Sequence, residues 1–432
     1  MSELWVQPGA ALRGRTRVPG DKSISHRTLL LGSIAAGKSH VGGFLPSADC
    51  LATLEAVRAL GVEVQEHTPT ELTVHGVGLH GLQEPDDVVD CRRSGTTMRL
   101  LAGLLAGQPF LSVLSGGTQL RRRPMARITE PLSSMGATVL GRDGGRLPPL
   151  AIQGGELRGI VYTLPVASAQ VKSALTLAAL YASGATRLRV PGPARDHTER
   201  MLVAMGARIA TMEGTVEIEP GASLQPVDVT VPGDFSSAAY LLVAASLLPG
   251  SEIVVEAVGV NPTRTGLLDL LLAMGADLTL HQERVVGGEP VAQIGVRSAE
   301  LSGVEVGGDL VVRAIDEFPI LAVAATQARG ETVVRDAAEL RVKETDRIAT
   351  TVRELRRLGA GIESRPDGFV VHGPTALAGA AVDSHGDHRL GMALTVAGLL
   401  ARGETVVHNV GCIADSFPGF AATMASLGAR VS

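Results

Sequence analysis

The sequence predicts an α/β fold of two similar domains, each built from three repeated βαβαββ-like units and joined by two crossover strands. Three observations predict this fold: a short helical pattern ending in glycine occurs six times, a longer helical pattern precedes each copy, and one tetrapeptide occurs twice. A repeat of about 70 residues is too long for a simple solenoid, so each copy should form a unit of several helices and strands that packs against other copies.

The short pattern is clearest in residues 54–61, where apolar side chains recur at helical spacing and a glycine follows them. A glycine in this place suits the C′ position that ends a helix. An alternating stretch at residues 62–65 then predicts a strand. The other copies are residues 131–136, 199–206, 267–275, 352–359 and 422–428.

The longer pattern also reads as a helix and also ends in glycine before a β-like stretch. Three of those stretches, residues 253–255, 332–334 and 405–407, are rich enough in β-branched residues to predict strands. The six copies of the longer pattern are residues 25–37, 95–107, 168–184, 234–250, 316–330 and 387–403.

The tetrapeptide Val-Pro-Gly-Asp predicts where the chain crosses between domains. It occurs at residues 18–21 and 231–234, and both aspartates lie sixteen residues before the glycine that ends the following helical pattern. We therefore expect one domain at residues 21–232 and the other at residues 1–20 plus 233–432. We expect the active site in the cleft between them.

Composition excludes several classes of protein. A chain of 432 residues with a net charge of −5 and only 3% aromatic residues lacks the basic footprint and stacking surfaces of a nucleic-acid-binding protein. No apolar run approaches the roughly 20 residues of a membrane helix, and no secretory signal is visible. The three cysteines have no CxxC spacing and predict buried free thiols rather than a metal site. We expect a cytoplasmic, monomeric protein with no metal or cofactor.

The starts of the longer helices predict anion binding. Each start carries polar or charged residues, and helix N-termini present unpaired N–H groups and a positive dipole end to anions. Ordinary capping is the alternative for Asp234 and Asp387, and a solvated basic face is the alternative for any single arginine. The basic residues concerned are Lys22, Arg27, Arg92, Arg93, Arg99, Arg121, Arg122, Arg123, Arg195, Lys343, Arg347 and Arg389.

Residues 32–39 match the nucleotide-binding pattern GxxxxGK[ST] letter for letter. That motif needs a strand before it and a helix after it, whereas residues 25–36 predict a helix and residues 40–41 the next strand. The glycine of this Gly-Lys-Ser segment also takes the place of Gly250 and Gly403, which end equivalent helices. We therefore interpret the segment as a helix exit.

Six ordered motifs give the chain a close resemblance to the 5-enolpyruvylshikimate-3-phosphate synthase family. The motifs are residues 21–27 (DKSISHR), 94–99 (SGTTMR), 123–125 (RPM), 168–170 (SAQ), 341–347 (RVKETDR) and 387–389 (DHR). The resemblance covers almost the whole chain and implies an inside-out α/β barrel architecture in two domains. It also implies an enzyme of aromatic amino acid biosynthesis. Such an enzyme transfers the enolpyruvyl group of phosphoenolpyruvate to shikimate 3-phosphate and releases phosphate.

The resemblance also assigns roles to individual residues of this chain. Asp316 would be the base at the 5-hydroxyl, Glu344 would handle the methylene proton, and Lys22 would be catalytic at the phosphate. The residues implied for shikimate 3-phosphate are Ser23, Arg27, Ser168, Lys343 and Asp316. Those implied for phosphoenolpyruvate are Lys22, Gly95, Arg123, Gln170, Arg347 and Arg389, the last two at its carboxylate.

Three positions depart from the family pattern, and two rival interpretations follow from related proteins. Arg93 stands where Asn is usual, Ala194 where Ser is common, and Asp415 where some members have Lys. The sister enolpyruvyl transferase that acts on UDP-N-acetylglucosamine is one rival, but its loop cysteine is missing from residues 114–123 and Ser23 stands where it has Asn. A non-catalytic ligand-binding relative is the other. The four residues Lys22, Asp316, Glu344 and Arg389 argue against it.

Overall fold

A computed structural model describes residues 2–432, and the chain divides into two compact units. Each unit has a hydrophobic core of its own. Unit I consists of Gly20–Val231 and Val285–Glu289, and unit II consists of the residues up to Pro19, Pro232–Arg284 and Pro290–Ser432.

The elements before residue 232 alternate between helices and strands. In chain order they are β1 (Glu3–Val6), β2 (Arg13–Arg17), α1 (Lys22–Ser33), β3 (Ala36–Gly42), α2 (Ala48–Ala59), β4 (Glu63–Thr68), β5 (Glu71–Val77), β6 (Val89–Asp90), α3 (Gly95–Ala106), β7 (Leu111–Ser115), α4 (Ala126–Met135), β8 (Thr138–Gly141), the single turn α5 (Arg142–Gly145), β9 (Leu147–Gln153), β10 (Val161–Thr163), α6 (Ala169–Ala179), β11 (Thr186–Arg189), α7 (His197–Ala204), β12 (Arg208–Met212), β13 (Thr215–Glu219) and β14 (Val229–Thr230).

The remaining elements follow the same alternation. They are α8 (Phe235–Leu247), β15 (Glu252–Gly259), α9 (Gly266–Ala273), β16 (Asp277–Val286), β17 (Glu289–Arg297), β18 (Glu305–Val306), α10 (Asp309–Arg313), α11 (Phe318–Gln327), β19 (Gly330–Val334), α12 (Arg347–Arg357), β20 (Ile362–Arg365), β21 (Gly368–Gly373), β22 (Ala381–Asp383), α13 (His388–Leu400), β23 (Thr405–His408) and α14 (Phe420–Ser426). Short 3₁₀ helices lie at Leu120–Arg122, Ala338–Val342 and Val410–Asp415.

The strands form six small sheets within residues 2–432, five of four strands and one of three. In the sheet β6-β7-β9-β8, strand β6 is parallel to β7. Strand β9 lies between β7 and β8 and is antiparallel to both. The sheets β14-β3-β5-β4, β10-β11-β13-β12 and β18-β19-β21-β20 have the same arrangement. The fifth four-stranded sheet has it when read as β2-β15-β17-β16. The predicted βαβαββ repeat and the α/β fold class are therefore confirmed.

Two strands near the chain start complete sheets formed by much later residues. Strand β2 is parallel to β15, and β1 is antiparallel to β23 in the three-stranded sheet β1-β23-β22. These pairings supply the fourth and sixth repeats with strands that their own stretches of chain lack.

The longer helices lie at the centre of each unit. Helices α3 and α6 pack against each other, as do α8, α11 and α13, and almost every residue of these five helices is buried. A helix that is apolar on every side must be covered on every side. Leu, Ala and Val supply this packing, as the scarcity of aromatic residues predicts.

The shorter helices end as the sequence predicts. A glycine with a φ between +83° and +118° follows each of α2, α4, α7, α9, α12 and α14. A left-handed residue at this position lets the chain leave the helix and enter the next strand. The glycines are Gly61, Gly136, Gly206, Gly275, Gly359 and Gly428.

Some predicted helix limits are wrong. Helix α1 ends at Ser33 and β3 begins at Ala36, so Gly37 lies in a strand, and the segment at residues 32–39 runs from helix to strand. That order is the reverse of a phosphate-binding loop. Helix α6 ends at Ala179, before Gly184. In the stretch that the structure describes, no helix is both long and apolar enough to cross a membrane.

Candidate active site

In unit I, two of the central helices begin side by side. The Gln170 side-chain amide at the start of α6 donates a hydrogen bond to the Thr96 hydroxyl at the start of α3, at 2.9 Å. Two turns further along, α3 approaches the backbone of α6 so closely that a Cβ on Gly103 would lie 2.0 Å from the Ala174 carbonyl oxygen. The two helices therefore run in the same direction, and both N-termini with their free N–H groups face the same region.

Lys22 is the first residue of α1 and forms an ion pair. Its Nζ lies 2.5 Å from Asp49 Oδ2, and the two side chains are 18% and 19% exposed. Asp21 caps the helix by accepting a hydrogen bond from the Ile24 N–H. The ammonium group is thus held at a helix start where solvent, or an anion, can reach it.

Arg27 lies one turn further into α1 and is only 4% exposed. Its Nε donates to Thr198 Oγ1 at 2.7 Å, one Nη to the Ser23 carbonyl at 2.9 Å and the other Nη to Ser173 Oγ at 2.7 Å. Burial lowers the pKa of Arg27 to about 10, although the Glu199 carboxylate acts in the opposite direction. The guanidinium group therefore stays charged at neutral pH, and its orientation is set by three partners.

Gly95 begins α3 between two arginines. A Cβ at this position would lie 2.9 Å from Arg99 Nη1 and 3.0 Å from Arg123 Nη1. Arg99 Nη1 also donates to Gln170 Oε1 at 2.5 Å. Because Gly95 has no side chain, the two guanidinium groups lie directly beside the start of α3, which is an arrangement suited to a phosphate.

Unit II contains a buried arginine surrounded by carboxylates. Arg347 is 2% exposed, and its nitrogens lie 2.8 Å from Asp387 Oδ2, 2.6 Å from Glu344 Oε2 and 3.4 Å from Asp316 Oδ1. Burial alone would lower the pKa of Arg347, but Asp387, Glu344 and Asp316 raise it above its ordinary value. This guanidinium is permanently charged.

Asp316 lies between Arg347 and a second arginine, Arg389. Arg389 Nη2 is 3.4 Å from Asp316 Oδ2, and Nη1 is 3.4 Å from the Asp316 carbonyl oxygen. Burial lowers the pKa of Arg389, but Asp316 and other acidic neighbours raise it overall. The Asp316 carboxylate is 16% exposed and thus open on one side.

Asp316 lies just before an apolar helix but does not cap it. Helix α11 begins at Phe318, the residue before it is Glu317, and no side chain caps it. The predicted caps at Asp234 and Asp387 are confirmed, since these side chains accept hydrogen bonds from the Ser236 and Arg389 N–H groups. The local pattern, an acidic residue before an apolar helix, is the same in all three places, so only the structure distinguishes them.

Lys343 and Glu344 precede α12. Lys343 Nζ is 4.0 Å from Glu339 Oε1 and the side chain is partly buried. Burial lowers the pKa of Lys343, and the nearby carboxylates of Asp316 and Glu339 offset only part of this.

Asp387 is buried beside Arg347. Burial by itself would raise the pKa of the Asp387 carboxyl group, but the charge of Arg347 lowers it overall.

We call two groups of predicted residues the unit I cluster and the unit II cluster. Their members are Lys22, Ser23, Arg27, Gly95, Arg123, Ser168 and Gln170 in unit I, and Asp316, Lys343, Glu344, Arg347 and Arg389 in unit II.

Sequence reasoning missed two partners of these clusters. Asp49 forms an ion pair with Lys22, and Arg99 donates a hydrogen bond to the side-chain oxygen of Gln170. The sequence placed Arg99 among the basic residues near helix starts but gave it no role, and nothing local marked Asp49, which lies in the first turn of another helix. Each of these two contacts joins elements that are distant in sequence, so local sequence patterns do not reveal it.

The three departures from the family pattern have separate environments. Arg93 donates two hydrogen bonds to Gln119 Oε1, at 3.1 and 2.9 Å. The carbonyl oxygen of Ala194 accepts a hydrogen bond from the buried Lys172 ammonium at 3.2 Å. Asp415 ends a 3₁₀ helix. Among the described residues, no group of His, Cys, Asp or Glu side chains has the arrangement of a metal site.

Comparison with known proteins gives consistent matches along the chain. Residues 6–424 match the family model for EPSP synthase, 3-phosphoshikimate 1-carboxyvinyltransferase. The chain is 56% identical over 420 residues to the 3-phosphoshikimate 1-carboxyvinyltransferase of Citrifermentans bemidjiense, covering 97% of this chain and 98% of that protein. It is 55% identical over 430 residues to the protein of the same name from Geobacter sulfurreducens, with complete coverage of both.

Solved structures agree with this match. The EPSP synthase of Acinetobacter baumannii superposes with a TM-score of 0.92 at 44% identity, covering 100% of this chain and 99% of that one. An enolpyruvyl transferase from Streptomyces tendae superposes with a TM-score of 0.80 at 18% identity, covering 100% and 98%, which speaks for a shared fold alone.

Proposed function

The chain belongs to the EPSP synthase family, and from this premise we propose that it transfers the enolpyruvyl group of phosphoenolpyruvate to the 5-hydroxyl of shikimate 3-phosphate. The reaction releases phosphate and serves chorismate and aromatic amino acid biosynthesis. The observation that carries the proposal is the match over residues 6–424 to relatives named for this activity. The geometry of the two clusters supports it.

The phosphate of phosphoenolpyruvate is the proposed ligand of the unit I helix starts. Lys22 and Arg123 supply positive charge, and Gly95 leaves room for the anion to approach the N-terminus of α3. Gln170 would donate a further hydrogen bond. Its amide is oriented by Arg99, which donates to its oxygen. The arrangement supplies charge where negative charge accumulates on the departing phosphate.

Shikimate 3-phosphate is the proposed ligand of Ser23, Arg27, Ser168, Lys343 and Asp316. Three hydrogen bonds fix the Arg27 guanidinium, so it loses little freedom when a substrate hydroxyl binds. The Ser168 hydroxyl caps α6 through a long bond of 3.5 Å to a backbone N–H. A weak bond of this length can be exchanged for a stronger one to a phosphate oxygen.

The carboxylate of phosphoenolpyruvate is the proposed ligand of Arg347 and Arg389. Arg347 has two short bonds, to Asp387 Oδ2 and Glu344 Oε2, and two long contacts, of 3.3 Å to Asp387 Oδ1 and 3.4 Å to Asp316. The side-chain contacts of Arg389 are long, at 3.4 Å to Asp316 and 3.8 Å to Glu317. The long contacts are the ones that a substrate carboxylate can replace, and the planar guanidinium groups match its two oxygens.

Two carboxylates are the proposed groups for proton transfer. Asp316 accepts the proton of the 5-hydroxyl as the hydroxyl oxygen attacks C2 of phosphoenolpyruvate, while Glu344 in its protonated form donates a proton to C3. The resulting tetrahedral ketal phosphate then returns a proton from C3 to the Glu344 carboxylate as the C–O bond to phosphate breaks, which restores the enol double bond. Lys22 and the arginines stabilise the negative charge of both steps without a metal ion.

A phosphate-release assay with two acceptors tests the proposal. We expect phosphate release that requires both phosphoenolpyruvate and shikimate 3-phosphate, with an enolpyruvyl ether detected by mass spectrometry. Release with UDP-N-acetylglucosamine but not with shikimate 3-phosphate would assign the protein to the sister transferase. Tight binding of shikimate 3-phosphate without any turnover would make it a non-catalytic relative.

A further inference from the structure

Outside both clusters, a glutamate with a fully buried side chain holds the loop that leads into α13. Glu354 lies on α12, seven residues after Arg347, and its side chain is 0% exposed. Its Oε1 lies 2.8 Å from His385 Nε2, and its Oε2 accepts a hydrogen bond from the Asp383 N–H at 3.1 Å. One carboxylate thus contacts the loop at two points.

The loop has an unfavourable backbone conformation at the residue that Glu354 holds. His385 has a φ of +53°, which is uncommon for a residue with a Cβ, and Gly386 follows with +72°. The His385 N–H donates to Asp383 Oδ1 at 2.6 Å, and the Asn409 amide donates to both Asp383 oxygens, at 2.9 and 2.8 Å. Such a conformation persists only where surrounding contacts hold it.

This loop ends at a residue of the site. The N–H of Asp387 donates to the Ser384 carbonyl at 2.9 Å, and the Gly386 N–H donates to Ser384 Oγ at 3.1 Å. The Asp387 carboxylate then caps α13 and binds Arg347 Nε. Helix α12 therefore contacts the loop at two places about two turns apart, through Arg347 at Asp387 and through Glu354 at His385.

The Glu354 carboxylate is surrounded by donors. Arg353 Nε and Arg357 Nη1 each lie 3.0 Å from one of its oxygens. Burial would raise the pKa of Glu354, but the hydrogen bonds from His385 and the Asp383 N–H, with the Arg357 charge, lower it overall. The carboxylate is ionised at neutral pH and can hold both loop contacts.

We propose that Glu354 and His385 form a clamp that positions Asp387, and through it Arg347 and Arg389, for the carboxylate of phosphoenolpyruvate. Neither residue of the clamp belongs to the predicted binding set, so both are positioning residues. The inference rests on the proposed function for the identity of the ligand, and on the contacts above for the clamp itself.

Two variants remove the clamp in different ways. Asn tolerates positive φ better than most residues, so His385→Asn keeps the loop conformation accessible and deletes the imidazole contact. Glu354→Gln keeps the size of the side chain and removes its charge. The matched control is His372→Asn, because His372 is an exposed histidine 3.3 Å from the Glu331 carboxylate and outside the loop.

We expect both clamp variants to raise the KM for phosphoenolpyruvate roughly tenfold, and the double variant to be no worse than the poorer single variant. The dissociation constant of shikimate 3-phosphate, measured by calorimetric titration, should stay within about twofold of wild type. Hydrogen exchange at the amides of residues 384–389 should become faster in both variants. The control should leave all three quantities unchanged.

A change in melting temperature and kcat alone, with the KM for phosphoenolpyruvate and the amide exchange unchanged, would overturn the clamp. Equal losses for both substrates would overturn it as well. If the wild-type protein shows no turnover with these substrates, the proposed function fails, whereas amide exchange still tests the clamp. If one variant does not fold, the other still decides the outcome.

Discussion

Lys22 and Lys38 lie in different environments although both are near the chain start. Lys22 begins a helix and is paired with Asp49 at 2.5 Å. Lys38 is exposed in the middle of β3, where its neighbour in the sheet is His75. Of the two, Lys38 sits in the better-known sequence motif, yet its surroundings offer no helix N-terminus.

Substitution of the two lysines by alanine should separate their roles. Lys22→Ala should lower kcat/KM by about 10²-fold or more, because a fixed charge at the departing phosphate is lost. Lys38→Ala should change the free energy of unfolding by no more than about 0.5 kcal/mol and leave turnover unchanged. Steady-state phosphate release measures the turnover of both variants, and denaturant unfolding measures the stability of Lys38→Ala. ATP hydrolysis that depends on Lys38 would contradict this assignment.

Asp316 allows proton transfer and binding to be tested apart. Asp316→Asn preserves the size of the side chain, and no helix cap is lost, so the melting temperature should stay within a few degrees of wild type. The amide cannot accept the hydroxyl proton, so kcat should fall by roughly 10²-fold or more. Calorimetric titration should still detect binding of shikimate 3-phosphate. Near-normal turnover would transfer the role of base to another group, with Glu344 the first candidate.

At the scale of elements, the close approach of α3 and α6 places two helix starts together. The approach depends on Gly103, because a Cβ there would overlap the Ala174 carbonyl. Gly95 and Gln170 lie at the starts of these two helices. The packing of the helix centres therefore sets the spacing of groups at their ends.

Gly103→Ala should destabilise the protein by about 1–3 kcal/mol, because the two helices must move apart to admit the methyl group. The KM for phosphoenolpyruvate should rise as well, since the helix starts would move with them. Gly184→Ala is the control: a Cβ at Gly184 meets no atom within 4 Å, so this change should be neutral or slightly stabilising. Thermal unfolding and steady-state kinetics measure the two effects. Equal melting temperatures for both variants would contradict the packing argument.

At the scale of the whole molecule, each unit buries its long helices in a core of aliphatic side chains. The three cysteines are free and buried, and two of them, Cys50 and Cys91, lie in the core of unit I. Burial raises the pKa of Cys50 to about 12, although a hydrogen bond from Ser47 acts in the opposite direction. It also raises the pKa values of Cys91 and Cys412.

These thiols should therefore be unreactive in the folded protein, because the thiolate is the reactive form and the folded state disfavours it. Titration with a disulfide reagent at pH 8 should detect much less than one thiol per chain under native conditions. In a denaturing concentration of guanidinium chloride it should detect all three. Rapid stoichiometric reaction of a native thiol would show that the unit containing it opens readily.

The repeats and most helices follow from local patterns, which is why the sequence predicts them. Apolar spacing and a glycine at C′ act within a single turn of helix, and six copies of the same pattern reinforce each other. The ordered motifs likewise predict the family. The start of α11 does not follow from the sequence, because several polar residues near a helix start can serve as the cap.

The partners of the site residues are decided by tertiary structure. Lys22 meets Asp49, Arg99 meets Gln170 and Glu354 meets His385 only after helices distant in sequence have packed. The strand at Arg13–Arg17 finds its place beside residues 252–256 for the same reason. The sequence by itself determined the repeating unit, the family and the predicted set of binding side chains, because these are written in local spacing and motif order. Only the fold decided which charges pair, which carboxylate stays open and which loop is clamped, because those outcomes depend on distances between residues that no local pattern relates.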